Sequence, residues 1–304
     1  MLSSQNFIKS QKYILKNARQ LDISLFNLYF NNASLEDFYK QLKKFQNKDF
    51  GFGNALEQDI KLPNSSNIAT TIAFQYIKYF YRKELPEFLN NSLDFLANNF
   101  SFKLDKWLAL PAKVDNFPHA SWWHFNEKKE HHVQNWVNPT VEIIGYLLKY
   151  SNNFDKDVLK ELKGKAISLI LSKKEIETHD LQCYLRFFDC LGAEDRMNIQ
   201  DNLLSLLNNT IQKDTLKWQE YVPKPLDFIK SPESHFYDSF KELVDKNLQY
   251  LISKQLQDGS WQPAWEWETY EEVWKTTKPQ IAGQITAQNL IILDNFGLIS
   301  KSSV

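Results

Sequence analysis

The sequence predicts an all-α protein, and three observations lead to that class. Segments with apolar residues at helical spacing recur along all 304 residues, whereas the two-residue alternation typical of strands is nearly absent. Only 8 glycines occur, where average usage would give about 21, and Gly51 and Gly53 are not followed by the third glycine of a dinucleotide fingerprint. With 43% hydrophobic residues the chain can build a large buried core. We therefore expect a helical protein rather than a Rossmann-type or Walker-type nucleotide-binding fold.

Ten helices are predicted from helical periodicity together with start and stop signals. They are expected over residues 5–19, 34–45, 66–81, 86–98, 139–150, 156–173, 178–191, 196–211, 236–254 and 279–295. Pro86, Pro139 and Pro279 are expected in the first turns of their helices, where a missing N–H costs little. Several prolines make the segment 212–235 irregular.

The loops between these helices differ greatly in length, and the long ones hold the unusual residues. The long loops are 46–65, 99–138, 212–235 and 255–278, and if the helices alternate up and down, all four emerge at one end. All nine tryptophans and five of the six histidines lie in or at the edge of these loops. This distribution favours a cavity whose opening is lined by these aromatic and histidine side chains. For any single residue, a packing role is the alternative. The expected ligand-binding residues are Trp122, Trp123, His124, Trp136, Trp218, Tyr221, Trp261, Trp265 and Trp267.

A local motif in the stretch KNLQYLISKQLQDGSW indicates a family. Its members are Lys246, Asn247, Tyr250, Leu251, Gln255, Gly259 and Trp261. The motif resembles the QW motif of the terpenoid cyclase and protein prenyltransferase superfamily, although Asn247 replaces the usual Gly or Ala. The Gln side chain can hydrogen-bond backbone groups at a neighbouring helix, and glycine allows the turn. Degenerate echoes occur near Lys165, near Phe95 and in FQNKDFGFG, which begins at Phe45.

The resemblance implies an α/α toroid, in which an outer and an inner ring of helices surround a cavity open at one end. Residues 1–304 would form one such domain, with helix 5–19 preceding about five hairpins. The outer helices would be 34–45, 86–98, 156–173, 196–211 and 236–254, and the inner helices 66–81, 139–150, 178–191 and 279–295. The order of short and long loops independently predicts that all the long loops lie at one end of the molecule.

Neither catalytic device of that superfamily is present as a motif. The Asp-x-Asp-Asp acid of its protonation-initiated cyclases does not occur in this sequence. Its zinc enzymes use Asp, Cys and His, and the nearest residues here, His179 and Cys183, share a helix face without matching the spacing. The loop histidines His119, His124, His131 and His132 are interpreted as a polar loop. No metal site is therefore predicted, and the cofactor is left open.

Three glutamates are the candidate general acids or bases. Glu57 and Glu266 lie in the long loops and Glu142 lies on a predicted inner helix, and a carboxyl group beside Trp in a dry pocket can have a raised pKa. A solvated surface role is the alternative for each. Polar residues, including Gln75 and Glu142, occur along the predicted inner helices. Either a polar lining of the cavity or close packing between helices would explain them.

The leading functional hypothesis is a protein that binds an isoprenoid-like or other apolar small molecule at the tryptophan-rich rim. The alternatives are a glycan-processing or glycan-binding toroid, with carboxylates under Trp platforms, and a non-catalytic small-molecule binding protein.

A net charge of −1 without basic runs argues against nucleic-acid binding, and no apolar run is long enough for membrane insertion. Cys183 and Cys190, about 10 Å apart along a helix, cannot form a disulfide, so we expect a cytoplasmic protein. The oligomeric state is left open.

Overall fold

The computed structural model describes residues 1–78, 85–125, 135–151 and 153–300, and within these ranges the protein is all-α. Twelve α-helices and no β-strand occur there, which confirms the predicted class. The helices are α1 (Ser4–Asn17), α2 (Gln20–Phe30), α3 (Leu35–Lys43), α4 (Asn67–Lys78), α5 (Glu87–Asn98), α6 (Thr140–Tyr150), α7 (Lys156–Ser172), α8 (Thr178–Phe188), α9 (Ala193–Thr210), α10 (Pro225–Phe228), α11 (Tyr237–Ser253) and α12 (Glu271–Asn295). Among the described residues, no helix combines the length and the apolar character needed to cross a bilayer.

All ten predicted helices are present, but the sequence missed α2, the four-residue α10 and the beginning of α12. Helix α2 buries Leu21, Ile23, Leu25 and Phe26, which point to several sides, so a search for one apolar stripe does not detect it. Helix α12 begins at Glu271, and Pro279 therefore lies inside the helix rather than in its first turn. The expectation for this proline was wrong.

The chain divides into two compact units, residues 1–44 with 211–304 (unit 1) and residues 45–210 (unit 2). The single toroid domain over residues 1–304 stays a prediction. The helices of unit 2 pack against one another. Helix α6 contacts α5, α7 and α8, and α9 contacts both α7 and α8. Side chains of α4 meet α6 through the stacked rings of Phe74 and Tyr146. Helices α4, α6 and α8 correspond to three of the helices that the sequence predicted as inner.

Unit 1 brings the two ends of the described chain together. Helix α1 packs against α12 and α2, and Leu2 N donates to Leu298 O at 2.8 Å while Ser300 N donates to Leu2 O at 2.9 Å. Gly283 in α12 allows this packing, since a Cβ there would lie 2.6 Å from the Cβ of Ala18. The first and last described segments therefore belong to one structural unit.

The motif residue Gln255 joins the end of α11 to α1, an arrangement that we name the Gln255 junction. Its Nε2 donates to Asn6 O at 3.2 Å, to Ser10 Oγ at 2.7 Å and to Gly259 O at 3.2 Å. Ser10 Oγ also donates to Gly259 O at 2.5 Å. The indole Nε1 of Trp261 donates to Leu251 O at 2.8 Å and so caps a carbonyl near the end of α11.

A junction of the same form occurs in unit 2, and we name it the Gln46 junction. Gln46 Nε2 donates to Phe88 O at 2.7 Å, to Ser92 Oγ at 3.0 Å and to Phe50 O at 3.1 Å. Ser92 Oγ in turn donates to Phe50 O at 2.8 Å. Because Phe88 and Ser92 belong to α5, this junction ties the loop that contains Gln46 to α5.

Candidate functional site

A carboxylate and a guanidinium are paired in the interior of unit 2. The Glu142 side chain is fully buried on α6 and accepts a short hydrogen bond from Arg186 Nε of α8. The same carboxylate lies 3.2 Å from Tyr146 Oη and 3.2 Å from Gln75 Nε2. Arg186 Nη2 lies 3.4 Å from Cys183 Sγ. We name these five residues the Glu142 cluster.

The helices α6 and α8 position this cluster through their periodicity. Glu142 and Tyr146 are four residues apart on α6, and Cys183 and Arg186 are three apart on α8, so each pair shares one helix face. Gly145 lets the helices approach, since a Cβ there would lie 3.1 Å from the Cα of Phe187. The buried charges are therefore held between two closely packed helices.

Burial and the glutamate together determine the protonation of the neighbouring groups. Burial raises the pKa of the Tyr146 phenol and of the Cys183 thiol well above their usual values, and the Glu142 carboxylate raises both further. Burial alone would lower the pKa of the Arg186 guanidinium, but the adjacent carboxylate raises it above its ordinary value. The Tyr146 and Cys183 side chains, whose pKa values are raised, are consequently protonated at neutral pH.

The cluster reaches solvent through its arginine. The Arg186 side chain is 20% exposed, whereas that of Glu142 is 0% exposed. A buried ion pair of this kind holds polar groups in a defined geometry, and removal of one partner leaves an uncompensated charge. The Arg186 guanidinium can orient a ligand by hydrogen bonds. The Cys183 thiol is kept protonated and is therefore not poised for nucleophilic attack.

The other two predicted acids have separate partners. Glu57 Oε1 accepts the backbone N–H of Asp59 at 3.0 Å, and Glu266 Oε1 pairs with Lys278 Nζ at 2.6 Å with its side chain 69% exposed. Glu57 and Glu142 belong to unit 2, whereas Glu266 belongs to unit 1. A catalytic role for each of the three stays a prediction.

The predicted aromatic residues of unit 2 lie in the loop before α6. Trp122 is 43% exposed, whereas Trp123 packs against an apolar cluster that includes Ile60 and Val114. Trp136 Nε1 donates to a backbone carbonyl at 2.6 Å, with Lys165 Nζ 4.4 Å from the centre of its ring. Of these three tryptophans, Trp122 presents the largest exposed fraction to a ligand.

The predicted aromatic residues of unit 1 are mostly buried. Trp218 and Trp261 both donate their indole N–H to backbone carbonyls at 2.8 Å, and Trp267 stacks on Trp274 with 5.6 Å between ring centres. These contacts are those of packing side chains. Trp265 is half-buried and Tyr221 is exposed. Ligand binding by the residues of unit 1 stays a prediction.

The two residues considered for zinc have different surroundings. His179 Nδ1 lies 2.9 Å from Glu177 Oε1, and this hydrogen bond raises the pKa of the imidazole. Cys183 belongs to the Glu142 cluster, and both cysteines are free thiols. His131 and His132 lie outside the described residues.

Sequence reasoning selected Glu142 but missed its main partner. Arg186 lies among Cys183, Phe187 and other apolar residues of α8, and a charged residue within a buried stripe is the signal that could have identified it. Asp115 was also missed, because its neighbours in space, His119 and His124, were treated as a polar loop.

Comparisons with known proteins give no family. No family model matches the chain, and neither the curated proteins nor the solved structures contain a match. The functional argument therefore depends on the residues themselves.

Proposed function

We propose that the protein binds a neutral, isoprenoid-like or otherwise apolar small molecule, within a ring of helix hairpins resembling that of terpenoid cyclases and protein prenyltransferases. The observation that carries this proposal is the Glu142 cluster, whose residues lie on α4, α6 and α8. In the toroid implied by the QW-like motif, these are inner helices, and their side chains line the cavity.

The recurring junctions support the ring of hairpins. The Gln255 and Gln46 junctions use the same donor and the same kinds of acceptor, one in each unit. A partial third copy occurs at Trp107, whose Nε1 donates to Leu96 O at 2.5 Å and whose backbone N–H donates to Thr140 Oγ1 at 3.1 Å. Repeated hairpin junctions are the feature expected of a helical repeat.

The charge of the Glu142 cluster favours a neutral ligand over a diphosphate. Because Glu142 neutralises Arg186, the pair offers no net positive charge to an anionic group. Beside it, the buried rings of Phe74 and Tyr146 stack with 4.8 Å between ring centres and give the site an aromatic neighbour. We infer a ligand with an apolar body and at most one hydrogen-bonding head group, such as an alcohol.

We propose binding rather than a defined reaction for this cluster. The Tyr146 and Cys183 groups are held protonated, and the Glu142 carboxylate serves as the counter-charge of an arginine. These groups position hydrogen bonds, and their arrangement specifies no proton transfer or nucleophilic attack.

The test is ligand binding by the purified full chain, measured by thermal unfolding and native mass spectrometry. The probes are farnesol, squalene, farnesyl diphosphate and cellotetraose. We expect farnesol or squalene to raise the Tm, and farnesyl diphosphate to bind no more tightly than farnesol. Stabilisation by cellotetraose alone would move the function to the glycan alternative, and the absence of any effect from all four would overturn the proposal.

A matched pair of double variants tests the position of the site. E142Q with R186Q removes the buried ion pair without leaving an unpaired charge, and we expect it to lose binding of the apolar probe. K163Q with D195N removes another ion pair of unit 2, with Nζ and Oδ2 at 2.8 Å and both side chains 29% exposed. This control should retain binding, and equal loss in both double variants would contradict a site at the Glu142 cluster.

A further inference from the structure

We propose that Asp115, His119 and His124 bind a divalent transition-metal ion, of which zinc is the example to test. One ligand atom from each residue lies within 4.8 Å of the other two. Asp115 Oδ1 is 3.0 Å from His124 Nδ1 and 3.7 Å from His119 Nε2. Zinc bonds of about 2.0–2.2 Å in tetrahedral geometry place donor atoms roughly 3.3 Å apart. Both distances from Asp115 Oδ1 are close to this spacing, and one nitrogen of each imidazole lies within 4.8 Å of the other.

The orientation of His119 suits a metal ligand. The residue is 4% exposed, and its Nδ1 lies 2.6 Å from the carbonyl oxygen of Phe117. Because a carbonyl can only accept, Nδ1 carries the proton, and in the neutral ring the lone pair is on Nε2. This nitrogen faces the carboxylate of Asp115, and a cation between the two converts their repulsion into attraction. A backbone carbonyl on the second ring nitrogen is the usual support of a metal-binding histidine.

Backbone hydrogen bonds hold His119 in place from both sides. Lys61 N donates to Pro118 O at 2.8 Å, and Ala120 N donates to Asp59 O at 2.9 Å. These bonds connect the residues next to His119 to the segment 59–61 of the preceding loop. The imidazole is therefore anchored to a second stretch of chain before any ion binds.

The other two ligands are connected to each other and to the apolar core of unit 2. Asp115 Oδ1 accepts the backbone N–H of Phe125 at 2.8 Å, which brings the residue after His124 to the carboxylate. Val114 is buried in the apolar cluster next to Asp115, and Trp123 and Phe125 pack against the same cluster on either side of His124. Ligands whose neighbours are packed in this way are preorganised for an ion.

The donor set indicates the class of metal and leaves room for a further ligand. Two imidazoles and one carboxylate are ligands of zinc and of non-haem iron. Three protein ligands leave a fourth position for water or a small anion, as in catalytic zinc sites. The His124 side chain is 60% exposed, so an ion can reach the site from solvent.

The test is metal binding by the full chain after treatment with a chelator. Titration with Zn²⁺ by calorimetry should give one ion per chain, and Co²⁺ should produce the visible absorption of a metal with nitrogen and oxygen ligands. His124→Ala should weaken Zn²⁺ binding by at least the roughly 10–100-fold that loss of a supporting partner costs. Asp115→Asn should also weaken it, while keeping an oxygen that can accept the Phe125 N–H.

The matched control is His179→Ala. His179 is also an exposed histidine of unit 2 whose imidazole pairs with a carboxylate, at 2.9 Å from Glu177, and its removal should leave Zn²⁺ affinity unchanged. Circular dichroism verifies that each variant is folded. A stoichiometric iron or zinc content that depends on His124 supports the site. Failure of the wild type to bind Zn²⁺ or Co²⁺, or unchanged affinity in folded His124→Ala, overturns it.

Discussion

The Gln255 and Gln46 junctions use the same polar contacts with different apolar residues. Three residues after each glutamine an aspartate Oδ1 accepts the backbone N–H two positions later, in Asp258 at 3.0 Å and in Asp49 at 3.1 Å. The position that holds Trp261 in one junction holds Phe52 in the other. The hydrogen-bonding residues are therefore the repeated part, and the apolar residue differs between the junctions.

The glycine is where the two junctions differ most. Gly259 has φ +90°, and a Cβ there would lie 2.4 Å from backbone atoms of Lys9 and Ser10. The corresponding residue in the other junction is Phe50, which has φ 65° and is 47% exposed. Both positions are left-handed, and at Gly259 the backbone also lies directly against the neighbouring helix α1. Close packing, as well as the backbone conformation, therefore favours glycine at position 259.

The largest expected effect is that of Gly259→Ala, which tests this difference. The new Cβ meets backbone that cannot move cheaply, and the left-handed φ adds strain, so we expect a loss of about 3 kcal/mol or more in the free energy of unfolding. Gly297→Ala separates the two causes, since φ there is +64° with nothing within 4 Å of the new Cβ. It should cost only about 1 kcal/mol. Urea denaturation measures both, and equal costs would show that packing against α1 contributes nothing.

The next effect is that of replacing each glutamine with glutamate. A carboxylate cannot donate, so in Gln255→Glu it faces the carbonyls of Asn6 and Gly259, and in Gln46→Glu it faces those of Phe88 and Phe50. We expect each variant to lose about 2–4 kcal/mol of stability at neutral pH. Similar losses of stability in urea denaturation would show that the two junctions are energetically equivalent. A loss of stability in only one of the two variants would contradict this equivalence.

A smaller effect is expected for the threonines that close the two junctions. Thr286 Oγ1 accepts the N–H of Trp261 at 3.1 Å, and Thr70 Oγ1 accepts the N–H of Phe52 at 3.0 Å. Thr286→Val and Thr70→Val leave these buried N–H groups without an acceptor, at a cost of about 1–3 kcal/mol each. The control is Thr71→Val, because the Thr71 hydroxyl donates to Ile68 O of its own helix. Hydrogen exchange at Trp261 and Phe52 should rise in the first two variants and not in the control.

The smallest effect is expected for Phe50→Gly. Relief of the left-handed strain is offset by the lost contacts of a half-exposed ring and by the greater freedom of glycine in the unfolded chain. The free energy of unfolding should therefore change by less than about 1 kcal/mol. A loss as large as that of Gly259→Ala would mean that the Phe50 ring, rather than the backbone, holds the Gln46 junction together.

Much of the fold could be predicted from the sequence, because helices are encoded locally. Apolar residues at helical spacing located ten helices, and the motif around Gln255 predicted a glutamine that bonds backbone at a neighbouring helix. Helix α2 was missed because its buried residues face several sides. The interior position of Pro279 was missed because the favourable first-turn position of proline is only a preference, and neighbouring structure overrode it.

The sequence by itself determined the all-α class, the positions of the repeated glutamines and the selection of Glu142 as a functional candidate. Only the tertiary structure decided the partners: Arg186 for Glu142, Ser10 for Gln255, and Asp115 for His119 and His124. Periodicity shows which face of a helix is buried, but it does not show which residue on another segment lies opposite. That pairing depends on how close two segments come, which is set by the packing of the whole unit.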